Sequence, residues 1–388
     1  MDYYSAHFFG ETQRKKLRNP FLILILGGAS ALLLVSWSIW HYVITHSSSL
    51  NDQGVHSSLQ FGMSSNITNP LPASVSDQCK PTVAPVFGHN ATNTSYWPFP
   101  HLGGGTPTKF AYVLYATEKE YLCNCLINFR QLRQLNVAAE LALIFPAPWI
   151  DKYPSGSVNP IRRMLDKAQN EYRVNLHPLE LWSTGRGDHT WANSLTKLHI
   201  FGLTSYTRIV YLDSDGIVLN NLDHLFLAPQ ARIALPRAYW LEEGVLASHI
   251  MVITPSDTLM NRVRDTVKAT NGFDMEAINK ISASSAMILP HRRYALLTGE
   301  FRKADHSRYL SDEGPGAEWD PQAELSSAFF VHFSDWPLPK PWIKAGTDLI
   351  ESTQPACDPK EKVECWNRKH WHGIYNLYNQ LKDEVCVE

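Results

Sequence analysis

Runs of β-forming residues alternating with helix-patterned stretches predict an α/β fold. The expected form is a largely parallel, Rossmann-like sheet flanked by helices and preceded by one membrane-spanning helix. Three observations carry that prediction. From about residue 109 onward, short apolar runs ("KFAYVLYA", "ELALIF", "RIVYL", "ARIALP", "HIMVITP") are separated by longer helix-like segments, the pattern of strand–helix–strand units. The chain has 388 residues, 44% of them hydrophobic, enough for a sizeable buried core. Residues 21–44 contain no Asp, Glu, Lys or Arg.

That apolar stretch, "FLILILGGASALLLVSWSIWHYVI", would be about 36 Å long as a helix, enough to cross a bilayer with some tilt. Arg14, Lys15, Lys16 and Arg18 precede it, and Trp37, Trp40 and Tyr42 crowd its far end. The positive-inside rule and the aromatic belt place residues 1–20 in the cytosol and make 21–44 a signal anchor. A cleaved signal peptide is the alternative. The span is longer than an ordinary h-region, and no clear small-x-small site follows it.

Residues 45–108 are rich in Ser, Asn, Pro, Thr and Gly, without helical or strand period, and are expected to form a lumenal stem. Glycosylation sequons begin at Asn66, Asn90 and Asn93, as an exposed lumenal segment would carry. Residues 109–388 are expected to form a globular domain. A net charge of -2 supplies no basic surface, which argues against a nucleic-acid partner. The six cysteines suit an oxidising lumen. Cys123 and Cys125 cannot pair on one helix, because positions i and i+2 point apart. A staple such as Cys357 to Cys365 is one pairing among many, and no Cys/His spacing suggests zinc.

In this region "KFAYVLYA" reads as a buried strand, followed by a helix face of Leu122, Leu126, Phe129, Leu132 and Leu135. "ELALIF" is a second strand, and "PIRRMLDKAQNEY" a helix opened by Pro160. "SLTKLHIFGLTSY" is helix-like and runs into the strand "RIVYL". That strand ends in Asp213-Ser214-Asp215. Such close carboxylates repel unless something positive lies between them, and a divalent cation would serve. In open α/β sheets ligands bind beyond the carboxyl ends of strands, where this segment and residues 117–121 both fall. A D-x-D tripeptide alone is more often a turn or a cap.

"SLTKLHIFGLTSYTRIVYLDSDGIVLNNLDHLF", "VHFSDWPLPKPW" and "YATEKEY" together resemble the three conserved blocks of the family-8 glycosyltransferases, the retaining group that includes glycogenin. "FDMEAINK" and "LPHRRYALLTGEFR" further resemble the fungal Golgi branch of N-acetylglucosaminyltransferases or glucose N-acetyltransferases. The resemblance implies a GT-A nucleotide-diphospho-sugar transferase fold. It implies Mn2+ or Mg2+ held by Asp213, Asp215 and His332, with Lys340 on the diphosphate and Lys197 on the opposite side of the donor. Tyr121 would stack on uracil and Thr117 touch the base or ribose, although Tyr121 could equally be a packing aromatic. Ser214 and Ser248 complete the nucleotide-sugar set. Asp274, with Glu276 and Lys197, forms the implied catalytic set, while Asp274 also suits a helix N-cap.

Two departures fall where sugar identity is decided. Ala247-Ser248-His249 stands in place of the family's Asn-Ser-Gly, and Met275 in place of a glutamine. "WSTGRGDHTW", with Arg186 and Asp188, would gate the donor. The implied activity is metal-dependent, retaining transfer of N-acetylglucosamine from a UDP-sugar to a glycan or glycoprotein, by a single-pass type II protein of the Golgi membrane. UDP-glucose or UDP-galactose are alternative donors. An inactive scaffold or glycan-binding protein, and a metal-dependent hydrolase, are alternatives of other classes.

Overall fold

The computed structural model describes residues 109–386, except 184, 186–192, 271, 283–284, 315 and 358–364. The expected cytosolic tail, membrane span, and stem with Asn66, Asn90 and Asn93 lie outside the described residues, as do Arg186 and Asp188.

Strand β1 (Phe110–Tyr115) shows why the apolar runs are continuous rather than alternating. Its Tyr112 and Leu114 enter one core cluster, while Ala111 and Val113 enter another on the opposite face. Successive strand residues point to opposite faces, so a strand covered on both sides is apolar throughout. Beside β1 lie β2 (Glu140–Pro146), β3 (Val174–Leu179) and β4 (Arg208–Leu212). After β4 come β5 (Gly216–Val218), β6 (Ile233–Pro236), β7 (Ile250–Ile253), β8 (Met287–Leu289), β9 (Leu296–Leu297) and β10 (Phe330–His332). The large sheet has the order β3-β2-β1-β4-β7-β6-β8, and a small one the order β5-β10-β9.

Helix α1 (Lys119–Gln134) buries Leu122, Leu126, Phe129 and Leu132. Helix α2 (Pro160–Asn170) starts at Pro160, its first turn capped by Asn159, whose side chain accepts the Ile161 N–H. Helices α3 (Asp257–Thr270) and α4 (Asp274–Ser282) pack together on the other face. A long C-terminal helix, α5 (Trp366–Val385), packs on α1. There Cys123 is joined to Cys386 and Tyr378 donates to Asn124 Oδ1 at 2.8 Å.

The expected fold class is corrected on its membrane-spanning helix. The sheet is largely parallel, as expected, with β7 set against it, antiparallel to both β4 and β6. Sequence periodicity reports burial and is blind to strand direction. Among the described residues, no helix is long and apolar enough to cross a membrane, and the apolar stretch 21–44 is not among those residues. The helix expected in "SLTKLHIFGLTSY" is a 3-10 helix, Ser194–Gly202, buried from Ser194 through Phe201. With no solvent face, packing rather than amphipathic periodicity sets its winding.

Candidate active site

The segment Asp213-Ser214-Asp215 is the passage between the two sheets. β4 belongs to the large sheet and β5 to the small one, so both carboxylates leave a buried strand at its carboxyl end. The register of β5 against β10 places Gly216 opposite His332, and Phe333 N–H donates to Asp215 O at 3.1 Å. Pairing of backbones thus brings His332 to Asp215 across 117 residues, Nε2 to Oδ1 at 3.1 Å. Gly216 is required by this approach, since a Cβ there would lie 2.2 Å from the Phe330 ring and 2.6 Å from Val331 O. Lys340 completes the group, its Nζ 2.7 Å from Asp215 Oδ2 and 2.5 Å from Phe333 O.

On the other side Lys197 lies between two carboxylates. Its Nζ is 3.0 Å from Asp213 Oδ1 and 2.7 Å from Asp274 Oδ2. Ser248 Oγ donates to the same Asp274 oxygen at 3.0 Å, and Tyr211 donates its hydroxyl to Asp213 Oδ1. Asp274 is therefore the first residue of α4, with its side chain turned to Lys197 rather than capping. The capping contact comes from Glu276, whose carboxylate accepts the Phe273 N–H at 2.9 Å.

Charge distribution divides the two aspartates of the motif. Burial pushes the Asp213 carboxyl above its ordinary range, more than Lys197 pulls it down, and Asp215 and Asp274 add to the rise. Burial also opposes ionisation of Asp215, but His332 and then Lys340 overcome it and hold that carboxyl well below the usual range. Burial works against the charge on Lys197, yet Asp213 and Asp274 raise its pKa. One ligand atom from each of Asp213, Asp215 and His332 lies within 4.8 Å of the others. Two carboxylates and one imidazole, converging at that distance, fit a divalent cation such as Mn2+.

These groups line a cavity of about 530 Å³. Tyr121, Lys197, Asp213, Ser214, Asp215, Asp274, His332 and Lys340 are brought together on its wall. Tyr121 stands edge-on to Trp342, ring centroids 5.2 Å apart. Thr117, Ser248 and Glu276 are not among the described lining residues. Thr117 is half-buried in the turn after β1, and Ser248 is buried behind Asp274.

Several lining residues were assigned no role in the sequence, although His249 stood there as a departure from the family's pattern. His249 and Trp240 approach with ring centroids 5.7 Å apart, and His249 stacks on His332 at 5.1 Å. Burial, followed by the charge of His332, holds the His249 pKa well below its ordinary value. Asp335 is buried and accepts from Tyr375 of α5 at 2.8 Å, and Trp336 follows it. Asp335 and Trp336 lie between His332 and Lys340 in sequence, which is the one clue to them. Tyr375 belongs to a helix whose pattern says nothing of a site.

No family model matches the chain. Glucose N-acetyltransferase 1 of Gibberella zeae is 40% identical over 286 residues, which cover 72% of this chain and 63% of that protein. The chain thus spans less than two thirds of the Gibberella relative. Glucose N-acetyltransferase 1 of Aspergillus fumigatus is 36% identical over 300 residues, covering 72% of this chain and 77% of that one. Among solved structures, the bifunctional glycosyltransferase WbbM superposes with a TM-score of 0.48 at 14% identity, over 73% of this chain and 51% of its own.

Proposed function

The chain belongs to the fungal glucose N-acetyltransferase family, and from that premise we propose that residues 109–388 form a metal-dependent, retaining glycosyltransferase. It would move N-acetylglucosamine from UDP to a glycan or glycoprotein acceptor. The convergence of Asp213, Asp215 and His332 beside Lys340 is the observation that carries this proposal. The relatives' name joins glucose to an N-acetyl group, which supports an N-acetylated glucosyl donor over UDP-glucose or UDP-galactose. The disulfides Cys123–Cys386 and Cys357–Cys365 support an oxidising compartment such as the Golgi lumen.

Asp213, Asp215 and His332 would hold Mn2+ or Mg2+, which when bound supplies positive charge to offset the diphosphate. Lys340, anchored by Asp215 and Phe333 O, adds a second positive charge for the leaving UDP. Lys197 fixes Asp213 and Asp274 at once. Both the Lys197 and Ser248 contacts fall on Asp274 Oδ2, so that among the described residues Oδ1 is left to accept a sugar hydroxyl and orient it. Tyr121 offers its ring to the uracil. No side chain is assigned as a covalent nucleophile. The acceptor oxygen forms its bond to C1 on the face the phosphate leaves, the C1–O bond breaks with its electron pair to UDP, and the acceptor proton passes to that phosphate oxygen.

The test is release of UDP by the full-length chain from a panel of UDP-sugars with Mn2+. UDP-N-acetylglucosamine should give the highest rate. Equal rates with and without metal, or no release from any UDP-sugar, would exclude the proposal.

A further inference from the structure

The cavity has a floor and a mouth. Lys197, Asp274, His249 and His332 on its floor are 3%, 3%, 4% and 7% exposed, whereas Trp336 and Ile343 are 49% and 52% exposed. Six other large apolar side chains reach comparable exposure among the described residues, and none of them lines this cavity. Half-exposed indole surface is unfavourable in water unless something covers it. Ile343 adjoins Trp342, which packs on Tyr121, the side assigned to the nucleoside. Trp336 is held elsewhere, its carbonyl accepting from Arg302 Nη1 at 3.3 Å.

Arg302 and Lys303 line the same wall. The Arg302 contacts, to Trp336 O and to Asp335 Oδ1 at 3.6 Å, both engage Nη1. A guanidinium has five N–H donors in a fixed fork, so among the described residues Nη2 and Nε are left for another partner. Lys303 pairs with Glu300 at 3.0 Å and lies 5.2 Å from the centre of the Tyr239 ring, and an ammonium with one ion-pair partner has further N–H donors to offer. An apolar plate beside hydrogen-bond donors matches a pyranose, which has a C–H face and a rim of hydroxyls.

We propose that Trp336 is the platform on which the acceptor sugar stacks, with Arg302 and Lys303 donating to its hydroxyls. The assignment rests on the transferase proposal above. It follows from position, because a donor diphosphate on the buried floor leaves the mouth as the acceptor's way in.

The experiment compares the full-length chain with Trp336→Ala and Trp336→Phe. Two rates are measured with UDP-N-acetylglucosamine and Mn2+: UDP release in water alone, and transfer to the methyl pyranosides of mannose, galactose and glucose. UDP affinity is measured alongside. Trp336→Ala should lower the ratio of transfer to hydrolysis by roughly three- to tenfold, the size of one aromatic contact. It should do so by raising the acceptor KM, and Trp336→Phe should restore most of the ratio. If transfer and hydrolysis fall together, or UDP affinity falls by the same factor, Trp336 serves the donor and the platform is overturned. If the wild-type chain hydrolyses the donor but no pyranoside raises UDP release, the platform falls and the donor side of the proposal stands. If no UDP is released from any UDP-sugar, both fall.

Discussion

Lys197 Nζ lies 2.7 Å from Asp274 Oδ2, with the two side chains only 4% and 5% exposed. The same ammonium also holds Asp213 at 3.0 Å. One buried cation therefore keeps the buried Asp274 and the half-buried Asp213 from facing each other unpaired. Lys197→Met should cost about 3–5 kcal/mol of folding stability, as loss of one partner from a buried pair does. Urea unfolding measures this, and a loss below about 1 kcal/mol, the worth of an exposed pair, would show that water reaches the group.

Tyr375 links the C-terminal helix to the loop carrying Lys340, through its hydroxyl on the buried Asp335. Tyr375→Phe leaves that carboxylate short of a donor and should destabilise by about 1–3 kcal/mol. Weaker UDP binding should accompany the loss, because Asp335 lies within the loop that positions Lys340. Calorimetric titration with UDP checks the second effect, and unchanged affinity would confine Tyr375 to a packing role.

The histidines favour lower stability in mild acid. Burial depresses the pKa of His177 and His199 below the ordinary value of 6.5. Each takes up its proton more readily unfolded than folded, so its contribution is present above the unfolded value of 6.5 and is lost as pH falls from there through the lower folded value. The denaturant midpoint should be lower near about pH 5.5 than near about pH 7.5. His199→Gln, which keeps a donor for Glu180 O, should flatten the difference, and an unaltered pH slope in that variant would contradict the assignment.

Peptide mapping without reduction should recover Cys123 linked to Cys386 and Cys357 linked to Cys365. Cys125 is a buried thiol and should resist alkylation until the chain is unfolded. Cys386→Ser, which frees the end of α5 from α1, should lower stability by about 2–4 kcal/mol.

How far the sequence reached follows from the physics of each feature. β1, β2 and β4 were legible because strands covered on both faces are uniformly apolar. The position of Asp213 and Asp215 at the end of β4 followed from the same pattern. The direction of β7 was not legible, because it depends on the path of the chain between strands rather than on side-chain periodicity. Asp274 was open between cap and site, and only its distance to Lys197 separates the two. Glu276 shows the reverse, an acidic residue beside the site whose carboxylate closes its own helix. Trp240 and Tyr375 reach the cavity through packing of elements far apart in sequence, and no local spacing marks them, whereas His249 was marked only as a departure from the family's pattern.

The most direct measurement is UDP release from UDP-N-acetylglucosamine by the full-length chain, with Mn2+ or with EDTA, for the wild type and Asp215→Asn. The account predicts release that needs metal and falls on the order of a hundredfold in the variant, about 3 kcal/mol of transition-state stabilisation. Release that ignores both EDTA and Asp215→Asn would contradict it.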